Sequence, residues 1–174
     1  MYYSVIKNCD IANGEGVRVT LFVSGCRNHC KDCFQPETWD FQYGKPFTEE
    51  TKQELINFLK PDYIKGITIL GGEPFEPENQ PCLIDLLRTI KETYPNKDVW
   101  CFTGFTLDKE IWGESRAAGK NADELLKFID TLVDGRFVAE LKNLSLKFRG
   151  SSNQRIIDVQ KSIENHTIIL SPLN

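Results

Sequence analysis

A chain of 174 residues has the length for one hydrophobic core and is read as a single domain over 1–174. Hydrophobic residues make up 40% and charged residues 26%, which excludes a disordered chain and a membrane-inserted one. A net charge of −4 argues against nucleic acid as a partner, since duplex binding rests on clustered positive charge.

The first residues, Met1 to Lys7, show no basic start followed by an apolar run, so no signal peptide is expected and a cytoplasmic protein is. The apolar runs Val17 to Val23 and Ile67 to Leu70 are far too short to cross a bilayer. Residues 1–16 read as a short apolar patch and then a tight turn, with Gly14 and Gly16 leading into the first strand, Val17 to Val23. That strand is β-branched and nearly all apolar at its end, as in a parallel sheet covered on both faces. Three cysteines follow within eight residues, Cys26, Cys30 and Cys33.

Phe34 to Phe47 is aromatic and irregular, with Gly44 and Pro46 as breakers. Thr48 reads as an N-cap, Glu49 and Glu50 as a first turn, and Leu55, Ile56, Phe58 and Leu59 as the apolar stripe of a helix ending before Pro61. Ile67 to Leu70 is the second strand and runs into Gly71-Gly72-Glu73-Pro74. A second helix fits Asn79 to Tyr94, and a third strand fits Val99 to Phe102, ending at Thr103-Gly104. A third helix fits Asn121 or Ala122 to Ile129, and Leu132-Val133 opens a fourth strand ending at Asp134-Gly135. In the tail, a polar stretch from Arg149 to Arg155 precedes two β-like runs, Ile156 to Val159 and Thr167 to Leu170.

Strand, loop, helix and strand recur, so the fold class is α/β with a mostly parallel sheet. The chain is too short for an eight-fold barrel, which takes about 250 residues, and an open partial barrel is expected. Such sheets present ligands at the carboxyl ends of their strands. The cysteine loop, Gly71–Pro74, Thr103-Gly104 and Asp134-Gly135 should therefore meet at one mouth.

The cysteines carry the chemistry. Without an export signal, six cysteines point to metal binding or redox chemistry before a disulfide framework. The spacing C-x3-C-x2-C leaves a metal centre one protein ligand short. Structural zinc would need His29, Cys9, Cys82 or Cys101 as a fourth ligand, and the chain has no second C-x2-C pair. An iron–sulfur cluster held by three thiolates keeps one iron open for another ligand, and it ranks ahead of zinc and of three free thiols. Cys9, Cys82 and Cys101 are read as packing residues, and His29 and His166 as incidental.

C-x3-C-x2-C after a first strand, with Gly-Gly-Glu-Pro after the second, resembles the radical S-adenosylmethionine superfamily. The resemblance implies a complete or partial (βα) barrel and a 4Fe-4S cluster on Cys26, Cys30 and Cys33. It also implies S-adenosyl-L-methionine chelated to the fourth iron and cleaved by one electron to a 5′-deoxyadenosyl radical. Glu73 and the turn carbonyls would accept from the ligand's ammonium group. Gly71 and Gly72 would let the backbone approach it, and Pro74 would stiffen the turn. Phe34 would pack on adenine, and Thr103 and Gly104 would line the ribose side. Position 32, where much of the superfamily has an aromatic, is Asp32, so its contribution would come from the backbone.

Further stretches sharpen the likeness: Gly14 to Arg18, Phe22 to Cys26, Cys33-Phe34, Val133 to Phe137 and Arg149 to Arg155. They resemble the activating-protein branch that serves the anaerobic (class III) ribonucleotide reductase, over nearly the whole chain. The implied substrate is that reductase, in which one backbone glycine becomes a glycyl radical. The implied reductant is flavodoxin-like, and a homodimer or a complex with the reductase is the implied assembly. An activase of the pyruvate formate-lyase type, a small-molecule enzyme of the superfamily and a zinc-stabilised interaction module are the competing readings.

Overall fold

The computed structural model describes residues 1–174. Its strands are β1 (Tyr2–Asp10), β2 (Val17–Val23), β3 (Lys45–Pro46), β4 (Ile64–Gly71), β5 (Asp98–Phe102), β6 (Thr131–Asp134) and β7 (Arg155–Asp158). They form one sheet in the order β3-β1-β2-β4-β5-β6-β7. The central four, β2, β4, β5 and β6, pair in parallel, while β1 and β7 flank them antiparallel. The outermost strands do not pair with each other, so the sheet is open. The helices are α1 (Glu49–Phe58), α2 (Gln80–Thr93), α3 (Lys120–Leu126) and α4 (Val159–Asn165).

Strict alternation along the strands gives the sheet two different faces. Val19, Leu21, Val23, Ile67, Ile69, Val99, Cys101, Leu132 and Ile157 point to one side and merge with the buried residues of all four helices into one core. The intervening residues face the other side, where no helix packs. Phe22 is in register with Leu70, and Thr20 with Thr68. Trp100, Val133 and Ile156 form a small second cluster there with Phe102, Phe148 and Leu173. Helices on one face only leave the opposite face as the wall of a possible site.

Four parts of the chain depart from the sequence reading. Residues 2–10, read as a patch and a turn, are a full strand at the flank of the sheet. Its polar run Lys7 to Asp10 disguised it, because a partly exposed strand needs no continuous apolar face. Val159 begins α4 and is not the end of a strand: the Asp158 carboxylate accepts from the Lys161 N–H at 3.1 Å and caps the new helix. The run Thr167 to Leu170 contributes only one bridge, Leu170 to Ile157. A single π-type turn, Leu107–Ile111, lies in the connection after β5, for which the sequence offers no element.

Arg18 is fully buried on the inner face at the start of β2. Its guanidinium donates to Thr68 Oγ1 (2.7 Å), Ile67 O (2.8 Å) and Glu15 O (3.1 Å), and it pairs with Asp98 at 2.5 Å. Burial holds its pKa below the usual arginine range, against the pull of Asp98. Asp98→Ala removes the only paired carboxylate from a buried charge. Four acceptors remain, the Asp98 carbonyl (3.3 Å) among them, and the Asp98 side chain is partly exposed, so the expected loss is about 2 kcal/mol. In thermal melts this is a Tm lower by roughly 4–8 °C; an unchanged Tm would show that the pair does not stabilise the fold.

Candidate functional site

The carboxyl ends of β2, β4, β5 and β6 surround one cavity of about 500 Å3. Cys26, Cys30, Cys33 and Phe34 line it from the loop after β2, Gly71, Gly72 and Glu73 from the end of β4, and Thr103 and Gly104 from the end of β5. Gly135, Phe137 and Gln154 close it from the β6 side. Asp32 and Pro74 lie outside that wall. Asp32 is exposed at φ +58, and Pro74 is buried beneath the turn.

Backbone contacts fix the start of the cysteine loop. Gly25 has φ +94, and a Cβ there would stand 2.4 Å from the Phe41 ring. Its N–H donates to Thr38 O (2.8 Å), and its carbonyl accepts from Glu73 N (2.9 Å). Arg27 then clips the loop to the turn after β4. Its backbone N–H and guanidinium both bond the fully buried Glu76 (2.8 and 2.7 Å), and the guanidinium also pairs with Glu78. Arg116 reaches Glu76 from the other side (3.1 Å) and donates to Asn28 Oδ1 at 2.6 Å. Asn28 lines the cavity, and its amide passes this constraint on to Glu73. Asn28, Glu76 and Arg116 are functional positions the sequence reading missed. Glu76 belongs to no motif in the sequence, and Arg116 lies 40 positions away from it.

Glu73 is the hub. One oxygen accepts from Thr103 Oγ1 (2.7 Å) and Phe75 N (3.0 Å), the other from Gly104 N (2.8 Å) and Asn28 Nδ2 (3.0 Å). Burial pushes its pKa up to about 7, against those donors. Four donors occupy the lone pairs of one carboxylate. Glu73 therefore joins the cysteine loop to the ends of β4 and β5. The Gly72 carbonyl, which accepts nothing within the chain, is the freer acceptor on this wall.

The glycines also do more than admit a ligand. A Cβ on Gly71, at φ +110, would meet Val23 O at 2.6 Å, and one on Gly72 would meet Gly25 O at 2.7 Å. They let the turn press against the backbone that leads into Cys26. Gly72→Ala is expected to push that backbone away and lower the iron retained after anaerobic reconstitution. Retention equal to wild type would show that the close approach is dispensable.

Burial first, and the nearby Glu73 and Glu76 carboxylates next, push the Cys26 thiol up to about 12. Cys30 is raised too, by burial and by its neighbour Cys33. The free chain thus holds these thiols protonated, and metal loading must release protons. The loop places the three on one wall without gathering them about one point. None of the considered fourth donors lines the cavity. His29 stacks on Trp39 at 4.4 Å, Cys101 lies in the core, Cys82 sits half-buried on α2, and Cys9 is exposed on β1, so it is not a packing residue. A three-thiol donor set suits an iron–sulfur cluster and leaves a tetrahedral zinc site incomplete.

An open α/β sheet with three thiols at its carboxyl end defines a cluster-binding class. Residues 12–157 match the protein family described as a 4Fe-4S single cluster domain. The chain is 44% identical over 155 residues to the anaerobic ribonucleoside-triphosphate reductase-activating protein of Escherichia coli K12, covering 88% of this chain and 93% of that one. It is 42% identical over 158 residues to the protein of that name in Haemophilus influenzae, covering 90% and 97% of the two chains. The counterpart in Enterobacteria phage T4 is 37% identical over 158 residues, covering 90% and 93%. The chain belongs to the family of anaerobic ribonucleoside-triphosphate reductase-activating proteins.

Proposed function

We propose that this chain activates an anaerobic ribonucleoside-triphosphate reductase by holding a 4Fe-4S cluster on Cys26, Cys30 and Cys33 with S-adenosyl-L-methionine beside it. The observation that carries the reading is a cavity walled by three thiols with no fourth cysteine or histidine donor. Cluster and S-adenosylmethionine, when bound, supply the one-electron chemistry that removes a hydrogen atom from a backbone glycine of the reductase.

The chain's own residues bind and orient. Gly72 offers an unoccupied carbonyl to the ligand's ammonium group, and Glu73 holds the three loops at fixed spacing. Phe34, 76% exposed beside the third thiol, offers a flat apolar surface to adenine. Thr103 and Gly104 border the ribose side, Asp32 contributes backbone only, and Pro74 stiffens the turn. The sheet is read as the partial (βα) barrel of the radical S-adenosylmethionine type, a single unit over 1–174. Its uncovered inner face leaves room for a loop of a large substrate.

The reductase is the proposed protein substrate, and a flavodoxin-like protein the proposed reductant. A complex with the reductase, or a homodimer, is the proposed assembly, in the cytoplasm and without nucleic acid. No helix is long and apolar enough to cross a membrane. The test is to mix the reconstituted chain anaerobically with reductase, S-adenosylmethionine and reductant, and record the electron paramagnetic resonance spectrum. A glycyl doublet on the reductase that requires S-adenosylmethionine is expected. A doublet formed only on pyruvate formate-lyase, or none, would overturn the assignment.

A further inference from the structure

Residues 136–149 differ in character from the rest of the chain. Arg136, Lys142, Lys147 and Arg149 stand there against a single anion, Glu140, in a protein whose net charge is −4. The segment holds only the short turn Ala139–Leu141 and one bridge, Lys142 to Ser151. Leu144 is 89% exposed. Beside it runs a groove of about 410 Å3 walled by Phe137, Leu146, Phe148 and Arg149. This groove shares Phe34, Leu70 and Gln154 with the cysteine cavity, so the two adjoin.

Arg149 is incompletely paired. Its Nη1 donates to Gln154 O (3.2 Å) and to Asn174 Oδ1 (3.0 Å). Nε is buried and has no partner, and no carboxylate of the chain pairs with the guanidinium. Nη2 has no partner within the chain and is not among the buried atoms, so it is the donor left for an outside carboxylate. Phe148, just before it, is held at φ +55 with its ring edge-on to Trp100 at 5.2 Å. Such a backbone state in a bulky residue persists only where its surroundings enforce it, and it fixes the direction in which Arg149 leaves the chain.

We propose that the groove and the basic segment form the docking site for an extended acidic segment of the reductase. One of its carboxylates would accept from Arg149 Nη2, and a neighbouring apolar side chain would lie among Phe137, Leu146 and Phe148. The inference rests on the reading that a reductase is the partner. A protein segment is favoured over a small carboxylate because the same stretch of chain also exposes Lys142, Leu144 and Lys147, more surface than a small molecule would cover. Adjacency to the cavity would bring the docked segment close to the cysteines.

The test measures reductase affinity of the reconstituted full chain and of three variants. Arg149→Gln is expected to weaken binding about 30-fold or more, as for truncating one partner of a buried charge pair. Lys147→Glu and Leu144→Ser, at exposed positions, are expected to weaken it about 3- to 10-fold, and the Lys147→Glu effect should shrink in high salt. Unchanged affinity in Arg149→Gln overturns the proposal. If that variant loses its fold, unchanged affinity in both other variants overturns it. Equilibrium binding of S-adenosylmethionine separates the sources of the carboxylate: a loss confined to that ligand assigns Arg149 to it and ends the docking role. A wild-type chain that binds no reductase defeats the underlying function, a result distinct from variants that bind as wild type does.

Discussion

Alanine at any one of Cys26, Cys30 or Cys33 is expected to leave the protein without a stable cluster and without S-adenosylmethionine cleavage. Outer-shell changes at metal sites already cost about 10- to 100-fold in affinity, and loss of one of only three ligands should exceed that. No other cysteine can substitute, since Cys9 is exposed on β1, Cys82 lies on α2 and Cys101 is in the core. Iron and sulfide assays after anaerobic reconstitution should therefore fall to background in each single variant. Cys82→Ala should retain wild-type content. Cleavage that survives in any of the first three would contradict the ligand assignment.

The second large effect is at Glu73. Glu73→Ala strands the N–H groups of Phe75 and Gly104, the Thr103 hydroxyl and the Asn28 amide around an emptied buried position. Unpaired buried donors cost about 1–3 kcal/mol each, and water entering from the cavity would recover part of that. A net loss of about 3 kcal/mol is expected, with Tm lower by roughly 6–12 °C at pH 8. The pH dependence has a definite sign. Burial raises Glu73 from the usual 4.5 to about 7. Between those values the folded chain binds more protons than the unfolded one, so this contribution is complete below 4.5 and is lost as pH rises through about 7. Wild type should lose stability over that window relative to Glu73→Gln. Parallel pH profiles would show that Glu73 does not titrate there.

Much of the scaffold was legible because its signals are local. Thr48 caps α1, apolar periodicity marks α2, and short β-branched runs mark β2, β4 and β5. The cysteine spacing and the turn Gly71 to Glu73 disclosed six of the 20 residues that line the cavity. What stayed hidden depends on contacts distant in sequence. β1 is a strand because β2 pairs with it, although its own pattern is polar after Ile6. The Glu76–Arg116–Asn28 chain joins positions separated by 40 and 88 residues, which no local pattern reports. The glycines were recognised as sites of close approach, but their neighbours proved to be the chain's own backbone at Val23 and Gly25. The Arg149 to Arg155 stretch stood out by composition, while its docking through Gln154 on Gly135 O (3.0 Å) needed the fold to be seen.

The protein is proposed to supply three ligands to a four-iron centre and to leave the fourth iron to S-adenosylmethionine. The direct measurement is the electron paramagnetic resonance spectrum of the reduced, reconstituted chain before and after adding that ligand. A cluster signal that changes on addition is predicted. Stoichiometric zinc in place of iron, or a cluster signal indifferent to the ligand, would contradict that assignment.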